Sequence, residues 1–255
     1  MTYSPVVELR RYALRPGQRD TLVELFDANF VESQEAVGID VIGQFRDLDD
    51  PDVFTWVRGF QTMEERARGL ADFYGGETWH AHSRAANATM IDSDNVLLLR
   101  PGRPDSAFHL PACREETSAS TGYVAAVILQ LEPGADESDI VSFFELAIAP
   151  GLAAAGGSVL GYFVSDPSTN TFPALPVREG VNVFVYFVGC GDRLTLERVA
   201  DPGCRLSRTT GEAPGLACSA ERLRLEPTAR SLLHGRSPSC VAASRTGWMG
   251  ATATK

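Results

Sequence analysis

Positive charge is scarce in this 255-residue chain, in which 33 Asp and Glu residues outnumber 23 Lys and Arg residues. The formal net charge is therefore -10 at pH 7. A surface of that sign repels the phosphate backbones of nucleic acids and the headgroups of anionic lipids. The composition thus argues against a nucleic-acid partner and against docking on a membrane surface.

Long apolar runs and paired cysteines are also missing. No apolar stretch approaches the roughly 20 residues that a membrane-spanning helix needs, and Met1–Pro5 has no basic or apolar region of a secretion signal. The five cysteines include no C-x-x-C pair and match no metal-ligand spacing. They are Cys113, Cys190, Cys204, Cys218 and Cys240. We therefore expect a cytoplasmic protein with free thiols and no bound metal.

Several catalytic signatures are absent as well. The sequence contains no G-x-x-x-x-G-K-[ST], no G-x-G-x-x-G, no G-x-S-x-G and no H-E-x-x-H. Phosphoryl transfer on a P-loop, nicotinamide chemistry on a Rossmann domain, serine hydrolysis on an α/β-hydrolase fold and zincin proteolysis therefore lose support.

What the sequence does contain is an internal repeat. An apolar stripe at helical spacing recurs 118 positions later. Its members are Leu22, Leu25, Phe26 and Phe30, and then Ile140, Phe143, Phe144 and Ile148. Gly38, a residue suited to end a helix in the left-handed conformation, recurs in the same register as Gly156. The strand-like stretch Val41–Phe45 recurs as Val159–Phe163. We therefore predict a tandem duplication.

Each copy reads as a β-α-β-β-α-β unit, which is the ferredoxin-like order. The predicted divisions are a first unit at 1–100, a linker at 101–119, a second and divergent unit at 120–228, and a loose tail at 229–255. The second copy has an inserted loop at about 165–180, where extra length is tolerated. Glycine and proline between 190 and 218 predict a short or broken helix there.

The strands read as apolar on both faces, which indicates that both faces of each sheet are buried. Helices of the same unit would cover one face. The other faces would pack against each other and form a barrel or sandwich with a central cavity, where we expect a ligand.

Three sets of residues resemble the NIPSNAP family. They are Val7-Glu8-Leu9-Arg10-x-Tyr12-x-Leu14-x-Pro16-Gly17, then Ile42-Gly43-Gln44-Phe45 with Trp56-x-Arg58-Gly59-Phe60, and then Phe73-Tyr74, Trp79, His82, Ala85-Ala86-Asn87, Met90 and Asn95-Val96-Leu97-Leu98. The resemblance implies an α+β fold in which tandem ferredoxin-like units pack as a dimeric α+β barrel-like pseudo-dimer. That superfamily includes cofactor-free monooxygenases, haem-degrading enzymes and binding proteins. It implies no specific catalytic residues.

The first candidate site lies on the strands of the first copy. Alternation places Glu8, Arg10 and Tyr12 on one face of the first strand, whereas the matching positions of the second copy are apolar. Trp56 and Arg58 share a face of the third strand, and we expect Gln44 to point the same way. These residues would bind a ligand whose carboxylate or enolate is held by arginine. The alternative is an ion pair that only fixes the sheet.

The second candidate cluster follows on a predicted helix. It comprises Tyr74, Trp79, His80, His82 and Asn87. His82 is a candidate general base, together with Tyr12 and Arg10 as catalytic residues, because its ordinary pKa lies near working pH. Two alternatives stay open: His82 as a haem ligand, as the resemblance allows, or as a helix-end histidine bonded to backbone.

Three functional hypotheses result. The first is binding of an apolar or aromatic metabolite in the barrel cavity, with cofactor-independent catalysis of a monooxygenase or isomerase type as its enzymatic version. The alternative is a non-catalytic interaction or scaffold module, and the second alternative is a haem-binding protein. Fused repeats would complete within one chain a barrel that otherwise needs two chains, so a homodimer is an option and not a requirement. We expect one site per chain, formed mainly by the first copy.

Overall fold

The computed structural model of the chain describes residues 4–111, 114, 122–200 and 215–235. Eight strands are present: β1 (Val6–Leu14), β2 (Asp40–Asp47), β3 (Val53–Phe60), β4 (Met90–Pro101), β5 (Tyr123–Leu131), β6 (Ser158–Ser165), β7 (Val183–Cys190) and β8 (Leu216–Pro227). The α-helices are α1 (Arg19–Asn29), α2 (Val31–Glu35), α3 (Met63–Tyr74), α4 (Glu77–Thr89), α5 (Glu137–Phe143), α6 (Ala149–Ala154) and α7 (Arg193–Ala200). A π-helical turn, Phe144–Ile148, joins α5 to α6.

Local signals in the sequence set several of these boundaries. Thr62 is the N-cap residue that precedes α3, and its side-chain oxygen accepts a hydrogen bond from the backbone nitrogen of Glu65 at 3.1 Å. This is half of the capping box that the sequence contains. Gly38 and Gly156 follow equivalent helices with φ of 85° and 92°, a conformation that L side chains rarely adopt.

The eight strands close into one antiparallel barrel in the order β1-β3-β2-β8-β5-β7-β6-β4. Each half of the chain therefore contributes four strands in the same relative order, β4-β1-β3-β2 and β8-β5-β7-β6. The halves join where β2 pairs with β8 and where β4 pairs with β6. The fold is thus α+β, with two ferredoxin-like units packed as a barrel-like pseudo-dimer, as the sequence predicts.

The two halves also share a local distortion of the sheet. The register shifts between Val41 and Gly43 where β2 pairs with β3, and between Val159 and Gly161 where β6 pairs with β7. In each case an aromatic ring two residues later lies over the glycine. A Cβ built on Gly43 would lie 2.6 Å from Phe45 Cζ. The glycine therefore leaves room for a ring that packs inside the barrel.

Replacement of Gly43 by Ala is expected to lower the free energy of unfolding by about 1–3 kcal/mol, because the new methyl group would displace a buried ring. Thermal or urea unfolding would measure the loss. Glu24→Ala on the exposed side of α1 is the control and should change stability by less than about 0.5 kcal/mol. Equal stability of Gly43→Ala and the natural chain would contradict this packing role.

The barrel interior is one apolar cluster to which all eight strands contribute. Its members include Val7, Leu9, Phe45, Val57, Leu97, Val124, Phe163, Val185, Phe187 and Leu225. The expectation of a polar ligand site inside the barrel therefore needs correction. Alternation along β1 turns Val7 and Leu9 inward, so the charged residues between them face outward, toward the helices.

Helices cover the outer faces of both halves and form two further apolar clusters. Parts of the predicted linker and of the predicted loose tail also pack into the barrel: Phe108, Leu110 and Leu233 belong to its core. The second helix of the second half, α7, has eight residues, and residues 201–214 lie outside the described part of the chain. Cys190 is a buried free thiol. No helix within the described ranges is long and apolar enough to cross a membrane.

Candidate functional site

Four charged side chains lie together between the sheet and the helices of the first half. Glu8 and Arg10 extend from β1, Arg58 from the neighbouring β3, and Arg66 from α3, and all four are fully buried. Glu8 is directly opposite Arg58 in the pairing of β1 with β3. We call these four residues the charged cluster. The sequence grouped its three strand residues correctly, but it assigned them to the cavity of the barrel.

Glu8 is the centre of the charged cluster. Its Oε2 accepts hydrogen bonds from Arg10 Nη1 and Arg58 Nε, both at 2.7 Å, and its Oε1 accepts one from Arg66 Nε at 2.6 Å. Burial by itself raises the pKa of Glu8, but the charges of Arg58, Arg10 and Arg66 outweigh that effect and hold the pKa far below its usual range. Glu8 is therefore ionised at neutral pH.

One carboxylate does not balance three guanidinium groups, and the charged cluster carries a net charge of +2. Several of its N–H groups are also unused. Arg10 Nη2, both terminal nitrogens of Arg58, and Arg66 Nη2 are buried without a hydrogen-bond partner in the described part of the chain. Buried donors of this kind are normally satisfied, because leaving one unpaired costs about 1–3 kcal/mol, and more for a charged group. The arrangement favours an anion.

Aromatic rings flank the two strand arginines. The Arg10 guanidinium lies 5.5 Å from the centre of the Tyr12 ring, and that of Arg58 lies 5.1 Å from the Trp56 ring. Arg10 Nε also donates to the Tyr12 hydroxyl at 3.0 Å. Burial raises the pKa of the Tyr74 hydroxyl, and the nearby Arg58 guanidinium opposes this rise. The effect of burial is larger, so the pKa of Tyr74 stays above its ordinary value. Tyr74 is therefore a neutral hydrogen-bonding group.

A small apolar cavity of about 30 Å³ adjoins the charged cluster. It is lined by Tyr12, Leu22, Phe26, Phe30, Gln34, Trp56, Phe73, Tyr74, Trp79, Ala86 and Met90. This volume accommodates a single water molecule. A larger ligand would enter only after side chains or a covering segment move. A porphyrin does not fit this conformation.

The predicted ligand residues fall into two groups. Tyr12, Trp56, Tyr74 and Trp79 line the cavity. Gln44 is opposite Trp56 in the pairing of β2 with β3, and both polar atoms of its buried amide lack a partner within the described ranges. These residues come together as the sequence suggested, although beside the helices.

The remaining candidates lie away from the charged cluster. His82 is half-buried and packs against the Phe30 ring, with 6.3 Å between ring centroids, and it does not line the cavity. Asn87 and His80 are exposed on α4. Neither histidine contacts Glu8 or its arginines through a hydrogen bond in the part of the chain that is described. The geometry does not favour them as ligand residues.

Two parts of the site were not found by sequence reasoning. The first is Arg66, which lies on α3, a segment whose sequence pattern indicates only an amphipathic helix. The loop 166–182, between β6 and β7 of the second half, reaches across to the first half, where Asn170 and Thr171 accept hydrogen bonds from Arg66. The signal that could have identified this loop was its length, because long loops in compact domains are often functional.

The second half has apolar residues at the positions that correspond to the charged cluster. Ala125 pairs with Val188 where Glu8 pairs with Arg58, and Val127 occupies the position of Arg10. Leu196 takes the position of Arg66, since α3 and α7 begin 130 residues apart, as do β3 and β7. All four counterparts are fully buried. The fold is therefore compatible with apolar residues at these positions and does not require the charged cluster.

Comparison with known proteins gives a family match for the first half and a likeness of fold for most of the chain. Residues 7–103 match the family model described as NIPSNAP. The chain is similar in structure to a candidate monooxygenase of Fusobacterium nucleatum, with a TM-score of 0.56, 9% identity, and coverage of 89% of this chain and 94% of that one. A candidate monooxygenase of Lactobacillus acidophilus gives 0.51, 11%, 88% and 94%. An anthrone oxidase-like protein gives 0.53, 9%, 91% and 96%.

Identities this low show likeness of fold alone. A comparison with curated protein sequences gave no match. The structural relatives have the dimeric α+β barrel fold, which this chain closes from its own two halves. Residues 7–103 therefore match the NIPSNAP family model, within a chain that has the dimeric α+β barrel fold.

Proposed function

We propose that the first half binds a small organic anion with an apolar or aromatic body, in the space between its sheet and its helices. The observation that carries the proposal is the net charge of +2 on four fully buried side chains, in which all three arginines have N–H groups without a partner among the residues that the structure describes. Moving an ion from water into the protein interior costs several kcal/mol, and only close pairing with an opposite charge offsets that cost. A bound anion would supply the missing charge and the missing acceptors.

Arg58 is the residue best suited to hold the anionic group. Its Nε is bonded to Glu8, and its two terminal nitrogens, which lie near the Tyr74 hydroxyl and have no geometric hydrogen bond within the described ranges, could form a bidentate pair with a carboxylate. Arg10 offers one further N–H from the adjacent strand. The Glu8 carboxylate holds both guanidinium groups in place, which reduces the entropy lost on binding.

The rings of Tyr12, Trp56 and Tyr74, which we call the aromatic wall, would contact the apolar body of the ligand. Trp56, Tyr12 and Tyr74 connect the charged cluster to the cavity lined by Phe26, Phe30 and Trp79. A ligand with its carboxylate on Arg58 would direct an apolar group toward these rings. In the enzymatic version of this proposal, the same guanidinium groups stabilise an enolate oxygen, and the Tyr12 hydroxyl donates to it.

The binding test compares 2-naphthoate with its neutral analogue 2-naphthamide by calorimetry. The natural chain should bind the carboxylate, and Arg58→Val should weaken that binding by about 10- to 100-fold, since a hydrogen bond to a charged group contributes about 1.5–3 kcal/mol. Arg84→Val removes an exposed arginine of α4 and should leave the affinity unchanged. The amide should bind weakly, and equally to all three proteins.

Two results would contradict the proposal. Equal affinities for the carboxylate and the amide would show that charge is not recognised. Absence of binding of any aromatic or aliphatic carboxylate, together with native mass spectra free of a co-purified small molecule, would leave the charged cluster with a structural role. Unfolding curves for Arg58→Val, recorded alongside, distinguish a lost site from a lost fold.

A further inference from the structure

The loop 166–182 from the second half contacts the first half at Arg66 and Tyr74, beside the candidate site. We call residues 166–182 the cover segment. It has seventeen residues, whereas the equivalent connection of the first half, 48–52, has five. Both of its ends are fixed to β4: Asp166 N donates to Leu98 O, and Arg178 N donates to Val96 O, each at 2.9 Å. The middle of the cover segment is therefore held over α3.

The cover segment is hydrogen-bonded to the charged cluster through Arg66. Arg66 Nη1 donates to Asn170 Oδ1 at 3.1 Å and to Thr171 Oγ1 at 3.0 Å, while its Nε is bonded to Glu8. The Thr171 hydroxyl donates in turn to Met63 O at 3.2 Å. Arg66 thus links the centre of the charged cluster to the cover segment.

An aromatic contact beside this link joins the cover segment to Tyr74, which lines the cavity. The Phe172 ring is stacked on Tyr74, with 6.0 Å between centroids and 24° between planes. Leu175 packs against the apolar cluster between the sheet and the helices of the first half, as Phe172 and Tyr74 also do. The Phe172 and Leu175 side chains are only half-buried, and most other residues between 167 and 177 are exposed. A segment with so little buried apolar surface opens at low free energy compared with the barrel.

We propose that the cover segment is a gate to the anion site, with Asn170 and Thr171 as its latch on Arg66 and Phe172 as its contribution to the aromatic wall. The ligand-binding part of this inference rests on the proposed function, whereas the opening of the gate does not. The cavity of about 30 Å³ is too small for an aromatic body in this conformation, and Tyr74, which lines it, is the ring that Phe172 contacts. Ligand exchange therefore requires the latch to break, and the second half controls the rate at which the first half is loaded.

The first test needs no ligand. In the double variant Asn170→Ala/Thr171→Val, hydrogen exchange of the Leu175 amide, whose acceptor Phe172 O is retained, should be about tenfold faster than in the natural chain, because both acceptors of Arg66 Nη1 are lost. The Phe172 amide is not used as a reporter, because it donates to Asn170 Oδ1 itself at 3.0 Å. Amides of β3 should exchange at unchanged rates. Ser168→Ala/Thr169→Val alters exposed neighbours in the same segment and is the matched control. Unchanged exchange in the latch variant would overturn the proposal.

The second test measures 2-naphthoate binding by stopped-flow fluorescence, with Trp56 and Trp79 of the cavity as reporters. The latch variant should raise the association and dissociation rate constants together by about tenfold, with a smaller change in affinity. Unchanged rate constants beside faster amide exchange would show that the cover segment opens without gating the site. Absence of naphthoate binding to the natural chain would sink the proposed function and the gating role, and would leave the opening itself established by exchange.

Discussion

Glu8→Gln is expected to lower the free energy of unfolding at pH 7 by about 3–5 kcal/mol, which is the usual cost of removing one partner from a buried ion pair. The reason is that three fully buried guanidinium groups depend on this one carboxylate. A neutral amide retains one accepting oxygen but none of the charge. Urea unfolding monitored by circular dichroism would measure the difference, with Glu24→Gln on the exposed side of α1 as the control.

The pH dependence of the same pair of proteins gives a second measurement. The folded protein holds the pKa of Glu8 far below its ordinary value of 4.5. Stability from this group is therefore fully present above pH 4.5 and is lost as the pH falls toward the folded pKa. The gap between the natural chain and Glu8→Gln should narrow on acidification below that pH. A gap that is absent at pH 7, or constant with pH, would contradict the ionised state of Glu8.

The second large effect is expected from copying the second half into the first. Glu8→Ala, Arg10→Val, Arg58→Val and Arg66→Leu, combined in one chain, install the residues that the equivalent buried positions already hold. Buried ion clusters are often replaced by apolar residues at no loss, or with a gain of about 1–4 kcal/mol. We expect this fourfold variant to be at least about 2 kcal/mol more stable than Glu8→Gln, although it changes four times as many residues.

The fourfold variant should also lose all charge-selective binding of 2-naphthoate. Stability without binding is the combination that distinguishes a functional cluster from a structural one. If the fourfold variant instead unfolds, the first half needs the charged cluster for its stability, although the second half is folded without one. Size-exclusion chromatography and urea unfolding would decide between these results before binding is measured.

The relation between the residues of β1 was predictable because alternation in a strand is a local property. Glu8, Arg10 and Tyr12 share a face whichever way the sheet packs. The direction of that face was not predictable, since a period of two does not say which side meets the helices and which meets the other sheet. The prediction of a polar barrel cavity was wrong for that reason: the inward positions, Val7 and Leu9, look equally suited to either environment.

Arg66 and the cover segment illustrate a different limit. Arg66 stands 58 positions from Glu8, and Asn170 stands 104 positions from Arg66. Nothing in the spacing of such distant residues indicates contact. Their meeting depends on how α3 packs over the sheet and on how the pairing of β4 with β6 carries the second half across the first.

The amino-acid sequence alone determined the repeated order of strands and helices, the glycines that end equivalent helices, the NIPSNAP resemblance of the first half, and the loss of charged residues from the second half. These features follow from local periodicity, turn chemistry and a comparison of the chain with itself. Only the tertiary structure decided that the charges face the helices, that a third arginine joins them, and that a loop of the second half contacts that arginine. Those facts depend on long-range packing of elements whose local patterns fit more than one arrangement.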